Sequence, residues 1–271
     1  MIANIIARLD DAKEYFMADL QKANFGKRII ASILDFILLG ILAVGLAALL
    51  SWAFGYDGYL NTVQETYTKY ETEYGVEFQL SQQEYEALSQ EEKAHLLEAY
   101  DALNKDETLT YSYNMLISLT MLILNFSILF GVIMTEFVAP LILKNGQTVG
   151  KKIFEIALMH TDGIQVSNVQ LFARAVLGKF AIEMMIPLSI IMMLFFNTIG
   201  IVGIIILVVL LVAQLVCLIR TRTNALIHDI IAGTIAVDIE SQRIFKTREE
   251  LLEYTKKQHA EKVAHSPYYT N

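Results

Sequence analysis

The residues with most to say about function are acids and bases set in apolar sequence. Asp35 lies in the apolar run that follows Lys27-Arg28, seven residues after Arg28. On a helix that separation puts two side chains within about 20° of one face and about 10 Å apart in depth. Glu136 ends one uncharged stretch, residues 108–135, and precedes Pro140 by four positions. Glu183 opens another, residues 184–219, and follows Lys179 by four; Asp229 follows His228 in the apolar segment 224–233. Carboxylates inside a membrane are costly and face a bundle interior, a cavity or a basic partner. The chemistry to expect is a pocket in which Asp35, Glu136, Glu183 and Asp229 meet Arg28, Arg174 and Arg220. Such a pocket could bind a cation or relay protons, because burial and like charge raise carboxylate pKa values while arginine holds them down. The same charges have a plainer use: Arg–Asp pairs fix helix register, and Glu136 and Glu183 near the headgroups snorkel to water.

Apolar spans must position these groups. The 271 residues are 55% hydrophobic and 18% charged, against about 25% charged in soluble domains. The uncharged stretches are 28 and 36 residues long, and about 20 apolar residues cross a bilayer, so a soluble globular enzyme is excluded. As one helix the longer stretch would reach roughly 54 Å, against a hydrocarbon core of about 30 Å. A turn at Asn197-Thr198-Ile199-Gly200 splits it, which predicts four spans, at 29–54, 111–139, 178–196 and 200–219. Lys22, Lys27, Arg28, Lys144, Lys151, Lys152, Arg174, Lys179, Arg220 and Arg222 collect on one side of these spans. By the positive-inside rule that side is cytoplasmic and holds both termini.

The remaining segments differ in texture. Residues 55–112 carry thirteen acids against three lysines, a net −10 in a chain whose net charge is −8. The acidity therefore belongs to one extracytoplasmic insertion (55–110), and nothing supports nucleic-acid binding. Ser81-Gln82-Gln83-Glu84 and Ser89-Gln90-Glu91-Glu92 are capping boxes that open helices within it, a tyrosine-rich helical cap. Its acidic field also attracts cations. On the inner side, residues 152–160 read as a strand and Thr161-Asp162-Gly163 as the turn of a β-hairpin to Ile164-Gln165-Val166. Residues 233–238 offer a third short strand. Ile2, Ile5, Ile6, Leu9, Phe16 and Leu20 give residues 1–24 an amphipathic helical face with no signal-peptide pattern. Residues 240–271 form a polar cytoplasmic tail. Cys217 is the single cysteine, so no intrachain disulfide exists. The fold class is an all-α polytopic membrane protein with four transmembrane helices, a small cytoplasmic β-hairpin element and an extracytoplasmic helical insertion.

Four motifs in order carry a family resemblance: Arg28-Ile29-Ile30-Ala31 with Asp35 four residues on; Gly146-Gln147-Thr148-Val149-Gly150-Lys151-Lys152; Thr161-Asp162-Gly163 followed by Arg174; and His228-Asp229-Ile230-Ile231-Ala232-Gly233-Thr234. Together they resemble the RDD family of membrane proteins, with Val149 where that family usually has proline. The resemblance covers roughly 22–54 and 111–239, the membrane domain being 25–54 with 111–239. It implies that Arg28, Asp35 and Asp229 are the eponymous residues, and that cation/proton antiport in the cell membrane is the activity to test. Glu136, Glu183, Arg174 and His228 would support that site. The glycine–lysine loop lacks P-loop spacing. Gly146 and Gly150 read as turn residues that set Gln147, Thr148, Lys151 and Lys152 at lipid headgroups.

No nucleophile–base arrangement, cofactor motif or metal-ligand spacing appears, so an enzyme is not expected and no cofactor is implied. Besides the lipid bilayer, the partners to expect are monovalent cations and protons, and a second copy or another membrane protein. The reading from a different class is a non-transporting accessory or assembly factor. It would hold a partner through its extracytoplasmic cap or cytoplasmic loop.

Overall fold

The computed structural model describes residues 20–195, 198–221 and 223–264. The N-terminal helix, Asn197 of the turn, Arg222 and the final residues of the tail fall outside these. The last part of the expected N-terminal helix, residues 20–24, is instead non-helical, and Lys22 bridges Val237.

Four helices have the length and hydropathy to cross a membrane: α1 (Phe25–Ala53), α5 (Glu107–Leu143), α7 (Asn168–Leu194) and α8 (Gly200–Arg220). Between α1 and α5 lie α2 (Tyr56–Tyr74), α3 (Gln82–Ala87) and α4 (Gln90–Asn104). After α5 come α6 (Val149–Ile153) and β1 (Ile156–His160); after α8 come α9 (Ile227–Ala232), β2 (Thr234–Asp238) and α10 (Arg248–Ala264). The chain divides into two compact units, one built from residues up to Ile41 and from Ile128 onward, the other from Leu42–Ser127.

In the first unit the long helices are interrupted in one recurring way. The turns Ile133–Val138 of α5 and Ala173–Met185 of α7 are π-helical, and Pro140 and Pro187 each follow two residues after such a stretch. A proline has no N–H to give and its ring presses on the carbonyl four residues back. Those residues are Glu136 and Glu183. Widened i→i+5 bonding ahead of each proline accommodates the misfit. Helix α7 starts ten residues before the expected 178, because Ser167 caps it by accepting the Gln170 N–H at 3.3 Å and Gln170 bonds back to Ser167 at 3.1 Å.

The small β element is a two-stranded antiparallel sheet that pairs Ile156 with Asp238 through to His160 with Thr234. The predicted turn does follow β1, where the Gly163 N–H bonds the His160 carbonyl at 2.9 Å. Beyond it Met159–Gln165 is a single bridge, so the main partner of β1 is β2 rather than the returning hairpin arm. Residues 152–153 end a helix instead of beginning the strand, and Glu155 turns the chain with φ 58°. Both sheet faces are covered. Ala157, Met159, Ile235 and Val237 pack with Phe245 and Leu251 from around α10, while Ile156, Leu158 and Ala236 pack with Ala31 and Leu171. Two-sided burial explains the unbroken apolar runs of both strands.

The second unit has its own core of Phe78, Leu96, Ala99, Leu103 and Leu109, ringed by tyrosines. Both predicted capping boxes form, at Ser81/Glu84 and Ser89/Glu92. The Tyr100 hydroxyl bonds the Phe78 carbonyl at 3.0 Å, so each end of this phenol has a use in the fold.

Candidate functional site

Every expected acid lies in the first unit; Asp229 and Glu136 lie against arginines, while Asp35 and Glu183 take other partners. Helix α1 buries one stripe, Ala31, Asp35 and Leu39, four residues apart. Asp35 does not meet Arg28. Its Oδ2 accepts from the Thr148 hydroxyl at 2.5 Å and its Oδ1 from the Gly150 N–H at 2.8 Å. Thr148 in turn caps α6 by accepting the Lys151 N–H at 3.3 Å. The loop 146–152 is thereby pinned to α1, and position 150 must be glycine. A Cβ there would lie 2.2 Å from the Ala31 carbonyl oxygen and 3.0 Å from the Asp35 carboxyl carbon.

Most of that loop is therefore packed against protein, and only Lys151 also lines a cavity. Gly146, Gln147, Thr148, Gly150 and Lys151 are buried, and Gln147 donates to the Ile156 carbonyl at 2.9 Å; Lys152 is exposed. A carboxylate that needed two neutral donors drew the loop inward.

The remaining charges form one connected cluster. Arg28, on the first turn of α1, donates to the Asn224 carbonyl at 2.8 Å and to Asp229 Oδ2 at 3.4 Å. Arg174, 3% exposed at its side chain, bonds Asp229 Oδ1 and Glu136 Oε2, both at 3.0 Å. Lys179 donates to Glu136 Oε1, and Lys151 Nζ stands 3.8 Å from Glu136 Oε2. In an α-helix, residues five apart such as Arg174 and Lys179 would diverge by about 140°. The π-helical stretch that contains both brings residues five apart into register, and both side chains reach one glutamate. His228 Nδ1 lies 2.7 and 2.8 Å from the two oxygens of Glu183, and its Nε2 lies 3.4 Å from Asp229 Oδ1. Gly178 lets α9 approach this closely, since a Cβ there would be 2.6 Å from the His228 Cβ. Arg220, by contrast, is exposed at the end of α8.

The electrostatics outside the spans follow from burial and neighbours. Burial alone would raise Asp229, but His228, Arg174 and Arg28 outweigh it and hold the carboxyl well below its usual range. Burial pushes the His228 imidazole down, against the pull of Asp229. Burial also pushes the Lys151 ammonium down, to about 8, with Glu136 opposing the shift.

A cavity of about 440 Å³ opens beside the cluster. Arg28, Lys151, Arg174, Lys179, His228 and Asp229 supply its polar wall, and apolar side chains of α1 face them. Four cations thus border one cavity while their ion pairs draw on two carboxylates, Asp229 and Glu136. The oxygens of Asp35 and Glu183 are taken by Thr148, Gly150, Gln214 and His228. Among the described residues no three His, Cys, Asp or Glu side chains form a metal-binding group.

Sequence reasoning placed Lys179 on the basic rim and overlooked it as a ligand of Glu136. The available signal was its spacing, five from Arg174 and ahead of a proline. Thr148 as the partner of Asp35 had no local signal at all. Among known proteins, the family model described as RDD family matches residues 22–233. No curated protein and no solved structure matches the chain.

Proposed function

The chain belongs to the RDD family and is a multi-pass membrane protein, and from that premise we propose that it is a transporter with an anion-binding site in the cavity beside Asp229. The observation that carries this reading is the wall of that cavity, where Arg28, Lys151, Arg174 and Lys179 stand with Asp229 as the one carboxylate among the described lining residues. An anion in the cavity would meet that cationic wall, and low-dielectric surroundings strengthen the attraction. The distribution of Lys and Arg supports a cytoplasmic placement for this side of the molecule and for both termini.

Cation/proton exchange is the second reading, and the contacts move it away from Asp35 and Asp229. Asp229, held by two guanidiniums, stays ionised across physiological pH, and Asp35 is engaged in holding α6. The exchange reading has one specific support, the buried Lys151–Glu136 contact at 3.8 Å. A proton leaving Lys151 would leave Glu136 short of one neighbour, and a monovalent cation could take that place.

One experiment separates the readings. Purified full-length protein is unfolded thermally at constant ionic strength in rising inorganic phosphate, and then in rising Na⁺. A ligand that binds only the native state raises the midpoint. The expected result is a rise with phosphate that Lys179→Gln removes. A rise with Na⁺ alone, accompanied by proton release in proteoliposomes, would replace the anion reading with exchange at Lys151–Glu136. Silence in both arms would remove transport and leave the accessory role.

A further inference from the structure

The cavity has a second wall that a small inorganic anion would not use. Phe25, Ile29, Ile33, Phe36 and Ile37 of α1 line it and are 55%, 43%, 54%, 67% and 52% exposed. Their spacing makes one helical stripe. The stripe starts beside Arg28, within the first turn of the span, and runs up the helix past the level of Asp35, where loop 146–152 is pinned. Arg28 thus sits on the first turn of a membrane-spanning helix, and apolar surface extends from it along that helix. We propose that the cavity seats an anionic membrane lipid, its phosphate against Arg28, Lys151 and Lys179 and one acyl chain along Ile29, Ile33 and Phe36. This rests on the anion reading above and names its ligand class.

Three features fit that occupant. Arg28 has five N–H donors and Lys179 three, and their bonds to Asn224, Asp229 and Glu136 leave donors over for phosphate oxygens. The volume of about 440 Å³ lies in the range of small-ligand pockets, roughly 300–1,000 Å³. It suits a headgroup and the start of one chain, with the rest of the lipid in the bilayer. Basic pockets between transmembrane helices are also where anionic headgroups lodge.

The test uses the full chain in nanodiscs made of phosphatidylcholine alone or with phosphatidylglycerol, released and read by native mass spectrometry, with inorganic phosphate as competitor. Retained phosphatidylglycerol should exceed retained phosphatidylcholine. Ile33→Trp fills the apolar wall without touching a charge and should weaken retention about tenfold, a loss of about 1.4 kcal/mol. Ile29→Trp gives the same reading if the first variant is unstable, and inorganic phosphate should compete weakly. Equal retention of both lipids, or tryptophan variants that retain phosphatidylglycerol unchanged, overturns the lipid assignment. Phosphate that protects the protein while phosphatidylglycerol shows no preference overturns it too, and leaves the anion site standing. Neither anion binding would remove both.

Discussion

The acidic insertion and the buried cluster handle charge in opposite ways. In the insertion most carboxylates stay in water, and even a formed pair such as Lys105–Asp101, at 3.6 Å, has side chains 77% and 78% exposed. The fold there comes from Phe78, Leu96, Ala99 and Leu103, and the charges contribute solubility and a field. In the cluster, Glu136, Arg174 and Asp229 are buried, and each charge is satisfied by a named partner. Removing water makes a pair costly to form and more costly to break. One chain thus carries a region whose acids stay at the surface, a few of them capping helices, and another in which buried acids are held by cationic partners.

Breaking a buried pair is the strongest way to test the contrast. Arg174→Met leaves Asp229 and Glu136 each one buried partner short and should destabilise the first unit by about 3–5 kcal/mol, read by thermal unfolding of purified protein. A loss like that of a surface variant would show the cluster to be no more demanding than the cap. Phe78→Ala should cost the insertion about 3 kcal/mol and expose it to protease, while phosphate protection of the cavity persists. Loss of that protection would tie the two regions together.

A smaller effect is expected at the loop–helix contact. Gly150→Ala drives a methyl into the Ala31 carbonyl and should cost about 1–3 kcal/mol, lowering the unfolding midpoint. Titration of Lys151 sharpens the contrast further. Below about 8 its ammonium faces the cavity charged, and above that value it is neutral, so anion affinity should fall as pH rises through 8. The folded-state value lies below the ordinary 10.5, so between the two the unfolded chain holds more proton and this group's contribution to stability increases with pH. Lost affinity in that window is therefore not unfolding. Lys151→Arg should flatten the profile in a phosphate titration. Asp101→Asn, at the other extreme, should leave the midpoint unchanged.

How legible each part was depends on the distance over which it is determined. The four spans and both capping boxes rest on contiguous residues or on neighbours three apart, and the sequence displays them directly. The Asp35–Thr148 bond joins residues 113 apart, and Arg28–Asp229 residues 201 apart. Seven-residue spacing suggested an Arg28–Asp35 relation because the helix alone was in view. Tertiary partners then took each side chain elsewhere. The small β element forms with a different main pairing for a related reason: the turn at Thr161–Gly163 is real, but β2 offered β1 a longer apolar match than Ile164–Val166 did. The π-helical stretches had a cue in Pro140 and Pro187, although proline alone does not say how far the widening extends.

The separation of Arg28 from Asp229 also bears on how the protein is made. Arg28 leaves the ribosome 201 residues before its carboxylate partner, an interval of about 10–40 s at roughly 5–20 residues per second. Through that interval α1, α5 and α7 reach the bilayer with Arg28, Lys151, Arg174 and Lys179 made and Asp229 still to come. The lock on this cluster is thus the last part to be synthesised. Chains cut short before residue 229 would leave Arg28 without its acid, whatever the state of the spans already made.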